Sequence, residues 1–320
     1  MSSLRDTWGQ RVTELATLDP RVLVLDGDLA NSTRADRFAE AHPDRFLQMG
    51  IAEQNLVGTA AGLASMGYVP WLSSFTVFFT HRALDPIRML VAQTGANVKI
   101  AAAYSGVLTG LTGKTHQDVQ DLAIMRAMPG MTVLAPADGV ECRAMVDWAT
   151  TYDGPVYLRL ARDASDAIFD DSYAFVPAAP RVLRHGDDLA LVTTGVQTSR
   201  VLEAAGLLAQ DGVHASVVHM PCLKPLDEAA LRSAVAHTPL IVTVEEHTVL
   251  GGLGGLVAEI VAAASDSPPV QRIGLEDRWG ESAPNDALLE KYGLSAQRVA
   301  ARVLELRRPR AARVHLPGTE

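Results

Sequence analysis

Cysteine, aromatic residues and basic charge are all scarce in this chain of 320 residues, whose formal net charge is −9. Its two cysteines, Cys142 and Cys222, are too few for a disulfide framework and predict reduced thiols. A negative net charge argues against a general nucleic-acid-binding surface. The sequence has no run of eighteen apolar residues, and its opening MSSLRDTWGQ lacks a signal-peptide core. We therefore expect a cytoplasmic protein without a nucleic-acid or membrane partner.

The chain does contain an alternation of helical and strand patterns. With 48% hydrophobic residues it has enough material for two globular domains. The alternation predicts an α/β protein with two doubly wound domains, because parallel strands need helical crossovers. The first block has helical patterns at 4–18, 53–66 and 141–150 and strand patterns at 22–25 and 98–103. The second has strand patterns at 189–193, 215–219 and 240–244 and helical patterns at 199–210 and 226–236.

Between the two blocks the alternation stops. The segment 165–187 is rich in aspartate and proline, which is typical of a connector. The predicted units are therefore a first domain at 1–164, a linker at 165–187 and a second domain at 188–320. No internal repeat and no low-complexity tract interrupts them.

The most informative stretch is FLQMGIAEQN, which places Glu53 at the start of a predicted helix. An acid in the first turn is ordinarily an exposed partner of the helix dipole. Here its neighbours include Ile51, Ala52, Leu56 and Val57, and this setting predicts that the carboxylate loses contact with water. Acids in apolar surroundings are typical of functional sites.

Two further stretches stand out downstream. SSFTVFFTHR contains three of the seven phenylalanines of the chain, Phe75, Phe78 and Phe79, which form either a core cluster or a wall for a flat heterocycle. AAAYSGVLTGLTGKTHQ is an apolar strand that opens into a loop of glycine and threonine containing His116. Loops that follow strands carry the reactive groups of many α/β proteins.

Together these stretches resemble the pyrimidine-binding domain of the transketolase family, which depends on thiamine diphosphate. The resemblance extends over nearly the whole chain, through PADGVECRAMVDWA, DGPVYLRLAR and VTVEEHTVLGGLGG. It implies a pyrimidine-binding domain at 1–164 followed by a transketolase carboxy-terminal domain at 188–320.

One family motif is absent. Transketolases hold the diphosphate and its Mg²⁺ with a GDG motif and a later asparagine on an amino-terminal domain, and no GDG occurs here; LDGDLANS resembles a different family segment. The resemblance therefore implies the smaller subunit of a split transketolase, active only with a partner subunit that carries the diphosphate-binding domain and most of the Mg²⁺ ligands. We expect a heterotetramer with two copies of each chain, and no metal ligand in this chain.

The resemblance also implies roles for residues of the cofactor site. Glu53 matches the glutamate that hydrogen-bonds the pyrimidine ring nitrogen, which makes it catalytic as well as cofactor-binding. Phe75 and Phe78 match residues that line the pyrimidine ring, and Phe79 and His81 are expected to complete that wall. His116 in KTHQ matches a catalytic histidine that contacts the substrate.

Substrate contacts follow in the same way. Arg162 in LRLARD matches an arginine that binds the phosphate of sugar phosphates, and Ser32 and Arg5 resemble further phosphate contacts. Two positions depart from the family pattern: Tyr104 stands where a histidine is usual, and Thr112 stands where an acid is usual. Tyr104 does not supply the imidazole of the usual histidine, and Thr112 does not supply the negative charge of the usual acid. We therefore expect an unusual ketol donor or acceptor substrate.

Three functions remain open from the sequence. The first is transfer of a two-carbon ketol unit from a ketose, in phosphorylated or free form, to an aldehyde in a specialised biosynthetic pathway. The second is a related thiamine enzyme, similar to 1-deoxyxylulose-5-phosphate synthase or to the beta subunit of a 2-oxoacid dehydrogenase. The third is a regulatory subunit without catalysis, against which the combination of Glu53, Phe75, Phe78 and His116 argues.

Overall fold

Two large sheets of mainly parallel strands, each flanked by helices, and one small antiparallel pair of strands form the protein in the computed structural model, which describes residues 2–264 and 267–307. This confirms the α/β class expected from the alternating patterns. The strands, in chain order, are β1 (Ser2–Ser3), β2 (Val22–Asp26), β3 (Phe46–Gln48), β4 (Val69–Phe75), β5 (Lys99–Ala103), β6 (Thr132–Leu134), β7 (Val156–Leu160), β8 (Ala164–Ser165), β9 (Arg181–Arg184), β10 (Leu189–Thr193), β11 (Ala215–His219), β12 (Cys222–Lys224), β13 (Ile241–Thr248) and β14 (Val270–Leu275).

The five predicted helical patterns agree with five helices of the structure to within two residues at each end, namely α1, α4, α7, α8 and α9 in the list that follows, and the other helices were not predicted. They are α1 (Leu4–Leu18), α2 (Ala30–Thr33), α3 (Asp36–Ala41), α4 (Glu53–Ser65), α5 (Leu84–Pro86), α6 (Asp121–Ala127), α7 (Gly139–Thr151), α8 (Gln197–Gln210), α9 (Glu228–Val235), α10 (Leu253–Ala262), α11 (Asn285–Lys291) and α12 (Ala296–Arg307). Two π-helical segments, Phe78–Arg82 and Ile87–Ala92, flank α5. In the described part of the chain, no helix is long and apolar enough to cross a membrane.

The first sheet has the strand order β12-β6-β7-β5-β4-β2-β3. All its neighbours pair in parallel except β12, which runs antiparallel to β6 at one edge. The central strands β2, β4, β5 and β7 are buried along their whole length, as parallel strands covered on both faces must be. Because β12 comes from the second half of the sequence, the two halves of the chain share this sheet.

The second sheet has the order β14-β13-β10-β11-β9. Its edge strand β9 lies inside the segment 165–187, which the sequence predicted as a connector without regular structure. It pairs antiparallel with β11. A short, half-exposed edge strand lacks the apolar run or clean alternation that reveals buried strands, so the sequence pattern did not show it. The domain boundaries at 164 and 188 remain predictions.

The carboxyl ends of the central strands meet at one edge of the first sheet. There β4 ends at Phe75, and β5 is followed directly by Tyr104. Strand β7, which neighbours β5, ends two residues before Arg162. In open parallel sheets this edge is where ligands bind, and the topology therefore brings together predicted site residues that lie far apart in sequence.

A buried ion pair joins α6 to β7 in the same unit. Arg159 Nε lies 2.8 Å from Asp121 Oδ2, and the Tyr157 hydroxyl donates to the same oxygen at 2.8 Å. Both charged side chains are almost completely buried. Burial alone raises the pKa of Asp121, but the charge of Arg159 outweighs it and holds that pKa below its usual value.

Removing one member of this pair is expected to destabilise the protein strongly. Asp121→Ala leaves Arg159 buried without its counter-ion, which lowers the free energy of unfolding by about 3–5 kcal/mol. Urea unfolding followed by circular dichroism measures the shift. The control Asp85→Ala removes one member of an exposed pair with Arg88 and is expected to change stability by less than about 1 kcal/mol. Equal midpoints for Asp121→Ala and the unmutated chain would contradict this account.

Candidate active site

Glu53 occupies the first position of α4, and its side chain is fully buried, as its apolar neighbours predicted. Leu56 and Val57 pack in the core on the following turn. A carboxylate is favourable at this place because the first backbone N–H groups of a helix are free to interact with negative charge. The Ser74 hydroxyl on β4 also lies 3.5 Å from Glu53 Oε1.

The counter-ion of Glu53 is Arg82, which the sequence did not identify. Arg82 Nη1 lies 2.7 Å from Glu53 Oε2, and its side chain is 44% exposed. The guanidinium carbon also lies 4.5 Å from the centre of the Phe78 ring. Arg82 therefore connects the buried carboxylate to the phenylalanine cluster and to the surface. Sequence shows a basic residue at the end of SSFTVFFTHR but not its partner 29 positions earlier.

Four rings form an aromatic wall beside this ion pair: Phe75, Phe78, Tyr104 and His116. Phe75 stacks on Tyr104 with ring centres 4.1 Å apart and on Phe78 with centres 5.9 Å apart. The His116 ring meets Phe75 and Phe78 edge-on, at 5.8 and 5.7 Å. The structure thus brings together two predicted pyrimidine contacts, the predicted catalytic histidine and a predicted substrate contact.

Tyr104 has a backbone conformation that L residues rarely adopt. Its φ is +61°, in the left-handed region, immediately after β5. This conformation is unfavourable by about 1–2 kcal/mol for a residue with a side chain. The stacking on Phe75 and a hydrogen bond from Arg5 to the tyrosine hydroxyl at 2.9 Å offset it. Such strain, held by specific contacts, is common at functional sites.

Two guanidinium groups flank Tyr104. The guanidinium carbons of Arg5 and Arg162 each lie 5.5 Å from the centre of its ring. Arg5 Nη1 also donates to the Ser32 carbonyl oxygen at 2.6 Å, so the backbone of Ser32, rather than its hydroxyl, holds Arg5. A hydrogen bond with Tyr104 raises the pKa of Arg162. Arg5 and Arg162 therefore form a guanidinium pair around the Tyr104 ring, and the Ser32 backbone contacts Arg5. Guanidinium groups are well suited to binding phosphate.

Thr112 lies further out, exposed on the short 3₁₀ turn Gly110–Thr112. A groove of about 410 Å³ connects its surroundings to Arg162. The groove is lined by Thr109, Gly110, Leu111, Thr112, Arg162, Asp163, Pro284, Asn285 and Asp286. Residues from both halves of the chain therefore border the approach to the guanidinium pair.

Phe79 and His81 were expected to complete the aromatic wall, but neither contacts its rings in the structure. Phe79 is fully buried and packs in the core cluster that contains Leu56 and Val57. His81 is exposed. Both lie in the π-helical segment Phe78–Arg82, where neighbouring side chains point in different directions around the axis. Only Phe78 of that segment contacts the other rings of the wall.

Glu245, Glu246 and His247 do not form a metal site. Glu245 Oε2 and Oε1 accept hydrogen bonds from the backbone N–H groups of Leu253 and Gly254, at 2.7 and 2.9 Å, where α10 begins. The glycines of TVLGGLGG thus allow the chain to enter the helix closely against Glu245, because a Cβ atom on Gly252 would lie 2.2 Å from Glu245 Oε2. Across residues 2–264 and 267–307, no group of three or more histidine, cysteine or carboxylate side chains is arranged to hold a metal ion.

The arrangement fits the pyrimidine half of thiamine diphosphate. A flat heterocycle with ring nitrogens needs an aromatic surface on which to lie and a buried carboxyl group to hydrogen-bond. Phe75, Phe78 and Glu53 provide these two elements within one continuous set of contacts through Arg82 and Ser74. The fold and this site define an α/β unit with a buried carboxylate and an aromatic wall at the carboxyl edge of its parallel sheet.

Comparison with known proteins gives the family. Residues 1–166 match the model of the transketolase pyrimidine-binding domain, and residues 179–299 match that of the transketolase C-terminal domain. The chain belongs to the transketolase family, whose enzymes depend on thiamine diphosphate. This confirms the recognition from sequence of the two carboxy-terminal transketolase domains on one chain, as in the smaller subunits of split transketolases.

Three similar proteins match this chain over nearly their whole length. The 6-deoxy-6-sulfo-D-fructose transketolase subunit SqwH of Clostridium sp. (strain MSTE9) is 38% identical over 92% of this chain and 92% of its own length. An apulose-4-phosphate transketolase subunit from Phocaeicola vulgatus is 33% identical, over 95% and 97%. A solved structure described as a split gene transketolase, an inactive beta4 tetramer, is 43% identical with a TM-score of 0.88, over 95% and 98%.

The ion pair at the site gives a stability prediction. Arg82→Met leaves the buried Glu53 carboxylate without its counter-ion, and the free energy of unfolding is expected to fall by about 1–3 kcal/mol, a range set by the partial exposure of Arg82. Urea unfolding of the purified chain measures the change. Arg82→Lys, which keeps a positive charge, should lose less. The exposed Arg88→Met is the control, and an equal effect of Arg82→Met and Arg88→Met would contradict the prediction.

Proposed function

We propose that this chain is the smaller subunit of a cytoplasmic, two-chain transketolase that transfers a two-carbon ketol unit from a ketose phosphate to an aldehyde. The observation that carries the proposal is the continuity of Glu53, the aromatic wall and the guanidinium pair. Glu53 contacts Arg82, and Arg82 contacts the Phe78 ring of the wall. At the other end of the wall, the Tyr104 ring contacts the guanidiniums of Arg5 and Arg162. A cofactor site and a phosphate site therefore adjoin each other.

Glu53 is the proton carrier of the cofactor site. Its carboxyl group holds and releases a proton at the pyrimidine ring nitrogen, a task for which a fixed, buried carboxyl group at a helix start is suited. Binding of the pyrimidine displaces Arg82 or shares Glu53 with it. When bound, thiamine diphosphate supplies the nucleophilic carbon that cleaves and re-forms the carbon–carbon bond next to a carbonyl group.

The aromatic wall orients the ring and excludes water from it. Phe75 and Phe78 give the pyrimidine a surface on which to stack. His116 stands at the edge of both rings, is half-buried and has its Nδ1 2.9 Å from the Thr115 hydroxyl. It can hydrogen-bond a substrate hydroxyl or move a proton at the carbonyl oxygen of the substrate.

Arg5 and Arg162 bind the phosphate of the sugar. Arg5 is fixed by Ser32 and Tyr104, whereas Arg162 is 40% exposed and its ion pair with the neighbouring Asp163 is a long one, at 3.3 Å. Arg162 is thus able to turn toward a ligand. Because Thr112 lacks the charge of the usual acid, we infer a donor or acceptor outside the common pentose phosphates. Relatives named for a sulfo-sugar and for apulose 4-phosphate support a specialised substrate.

A partner subunit completes the enzyme. The sequence has no GDG motif for the diphosphate and Mg²⁺, so we propose that these groups are held mainly by the partner, with two copies of each chain in a heterotetramer. The relative described as an inactive beta4 tetramer supports the need for a second chain. The buried free thiols of Cys142 and Cys222 suit the reducing cytoplasm.

Reconstitution with the partner tests the proposal. The chain is co-expressed with the product of the neighbouring gene, and ketol transfer is assayed with thiamine diphosphate and Mg²⁺. The complex is expected to be active, and Glu53→Ala is expected to lower kcat by at least about 10²-fold, the usual contribution of a positioned proton carrier. Glu53→Gln should lose similar activity because its amide cannot release a proton. Full activity of Glu53→Ala, or decarboxylation of pyruvate in place of ketol transfer, would contradict the proposal.

Arg162 gives a second test within the active complex. Arg162→Ala is expected to raise KM for a phosphorylated ketose by about tenfold or more, since a lost charge-assisted hydrogen bond weakens binding by about 1.5–3 kcal/mol. KM for the unphosphorylated analogue should stay the same. Arg88→Ala removes the same charge from an exposed position and serves as control. An unchanged KM for the phosphorylated ketose would remove Arg162 from the site.

A further inference from the structure

The loop at 104–117 carries two members of the aromatic wall, Tyr104 and His116. It leaves β5 at its first residue, and its ends are joined where Gly106 N donates to the Asp118 carbonyl oxygen at 2.8 Å. Between these ends the loop makes one short 3₁₀ turn and no strand pairing within the described residues. Internal hydrogen bonds, such as those that the Gln117 amide donates to the Val107 and Gly110 carbonyl oxygens, hold the shape of the loop. Its position against the rest of the protein depends on the contacts that it makes with other segments.

The strongest of these contacts comes from Glu246 on β13, in the second sheet. Glu246 Oε1 accepts hydrogen bonds from two successive backbone N–H groups, those of Val107 at 2.8 Å and Leu108 at 3.1 Å. The carboxylate is almost completely buried, and Arg200 on α8 lies 3.4 Å from its other oxygen. Hydrogen bonds to a buried charged acceptor are stronger than those between neutral groups.

The loop is shaped to receive this carboxylate. Gly106 has a φ of +75°, a conformation natural only to glycine. A Cβ atom built on it would lie 2.1 Å from Glu246 Oε1. The backbone thus approaches the acid so closely that no side chain fits between them.

Other residues from the second half of the chain contact the loop at its rim. The Asn285 amide donates to the Leu108 carbonyl oxygen at 3.1 Å, and the Ser282 hydroxyl donates to the Leu111 carbonyl oxygen at 2.7 Å. The Gln117 amide donates to the Glu281 carbonyl oxygen at 2.9 Å. These are single bonds between neutral groups, whereas Glu246 supplies two bonds to one buried charge.

We propose that Glu246 is a positioning residue: by holding the N–H groups of Val107 and Leu108, it sets the place of Tyr104 and His116 against Phe75 and Phe78. The C-terminal half of the chain thereby takes part in building the active site. The effect on turnover rests on the proposed function, whereas the anchoring of the loop does not.

The chain offers a matched control in the neighbouring residue. Glu245 is also a buried glutamate that accepts two backbone N–H bonds, but from Leu253 and Gly254 within the second half of the chain. Glu245→Ala and Glu246→Ala therefore each remove two hydrogen bonds between a buried carboxylate and backbone N–H groups, and Glu246→Ala also removes the ion pair with Arg200. Of the two glutamates, Glu246 is the one that contacts the 104–117 loop.

Hydrogen exchange on the full chain, purified without a partner, tests the anchoring. Glu246→Ala is expected to speed amide exchange in peptides that cover residues 104–117, and Glu245→Ala to speed it only at the start of α10. Glu246→Gln, whose amide oxygen still accepts both bonds, should keep most of the protection. If Glu246→Ala fails to fold, Gly106→Ala displaces the loop from the acid without changing the charge and should give the same faster exchange. Unchanged exchange at 104–117 in the folded variants would overturn the proposal.

Kinetics of the reconstituted complex test the consequence. Glu246→Ala is expected to lower kcat by about 10²-fold, the effect of a small misplacement of catalytic groups, while the affinity for thiamine diphosphate stays that of the unmutated complex. Glu245→Ala should retain near-normal kcat. Equal losses in both variants would reduce Glu246 to a structural role and overturn the proposal. If the unmutated complex transfers no ketol unit, the proposed function fails, and the exchange measurement still decides whether Glu246 anchors the loop.

Discussion

The burial of charge between the two halves of the chain is the constraint on which the rest of the structure depends. Arg159 on β7 pairs with Asp121 on α6 and also donates to the Glu246 carbonyl oxygen on β13 at 3.0 Å. Glu246 in turn lies beside Arg200 on α8. Unpaired charges are very unfavourable in a protein interior, so the first sheet, its helix and the second sheet must meet in one arrangement. The 104–117 loop contacts the same network through Glu246.

That arrangement places every part of the candidate site at the carboxyl edge of the first sheet. Phe75 and Tyr104 come from the ends of adjacent strands, and Glu53 from the start of the helix that precedes β4. His116 completes the wall; it lies on the 104–117 loop, which Glu246 from the second half of the chain contacts. Phe78, His116 and Arg162 are only partly buried at this edge. In the proposed function, a half-site of this kind leaves one side of the cofactor uncovered, and a partner subunit would cover it.

The sequence predicted the α/β class, five of the helices (α1, α4, α7, α8 and α9), five of the strands (β2, β5, β10, β11 and β13) and part of the site. Apolar periodicity located helices such as α1 and α4, and the residues around Glu53 predicted its burial, because both properties depend on near neighbours. Strand β9 was missed, since an exposed edge strand has no apolar run. Phe79 was expected on the wall from the family resemblance, but it packs in the core. It lies in a π-helical segment, whose side-chain directions the sequence does not reveal. Arg82 and Glu246 were missed because their partners lie 29 and 139 positions away.

The central claim is that this chain contributes one half of a cofactor site. Titration of thiamine diphosphate with Mg²⁺ in a calorimeter, into this chain alone and into its purified complex with the partner, tests it most directly. The account predicts saturable binding to the complex and none to the chain alone at the same concentrations. Equally tight binding to the chain alone would contradict it, because the residues on this chain would then hold the whole cofactor.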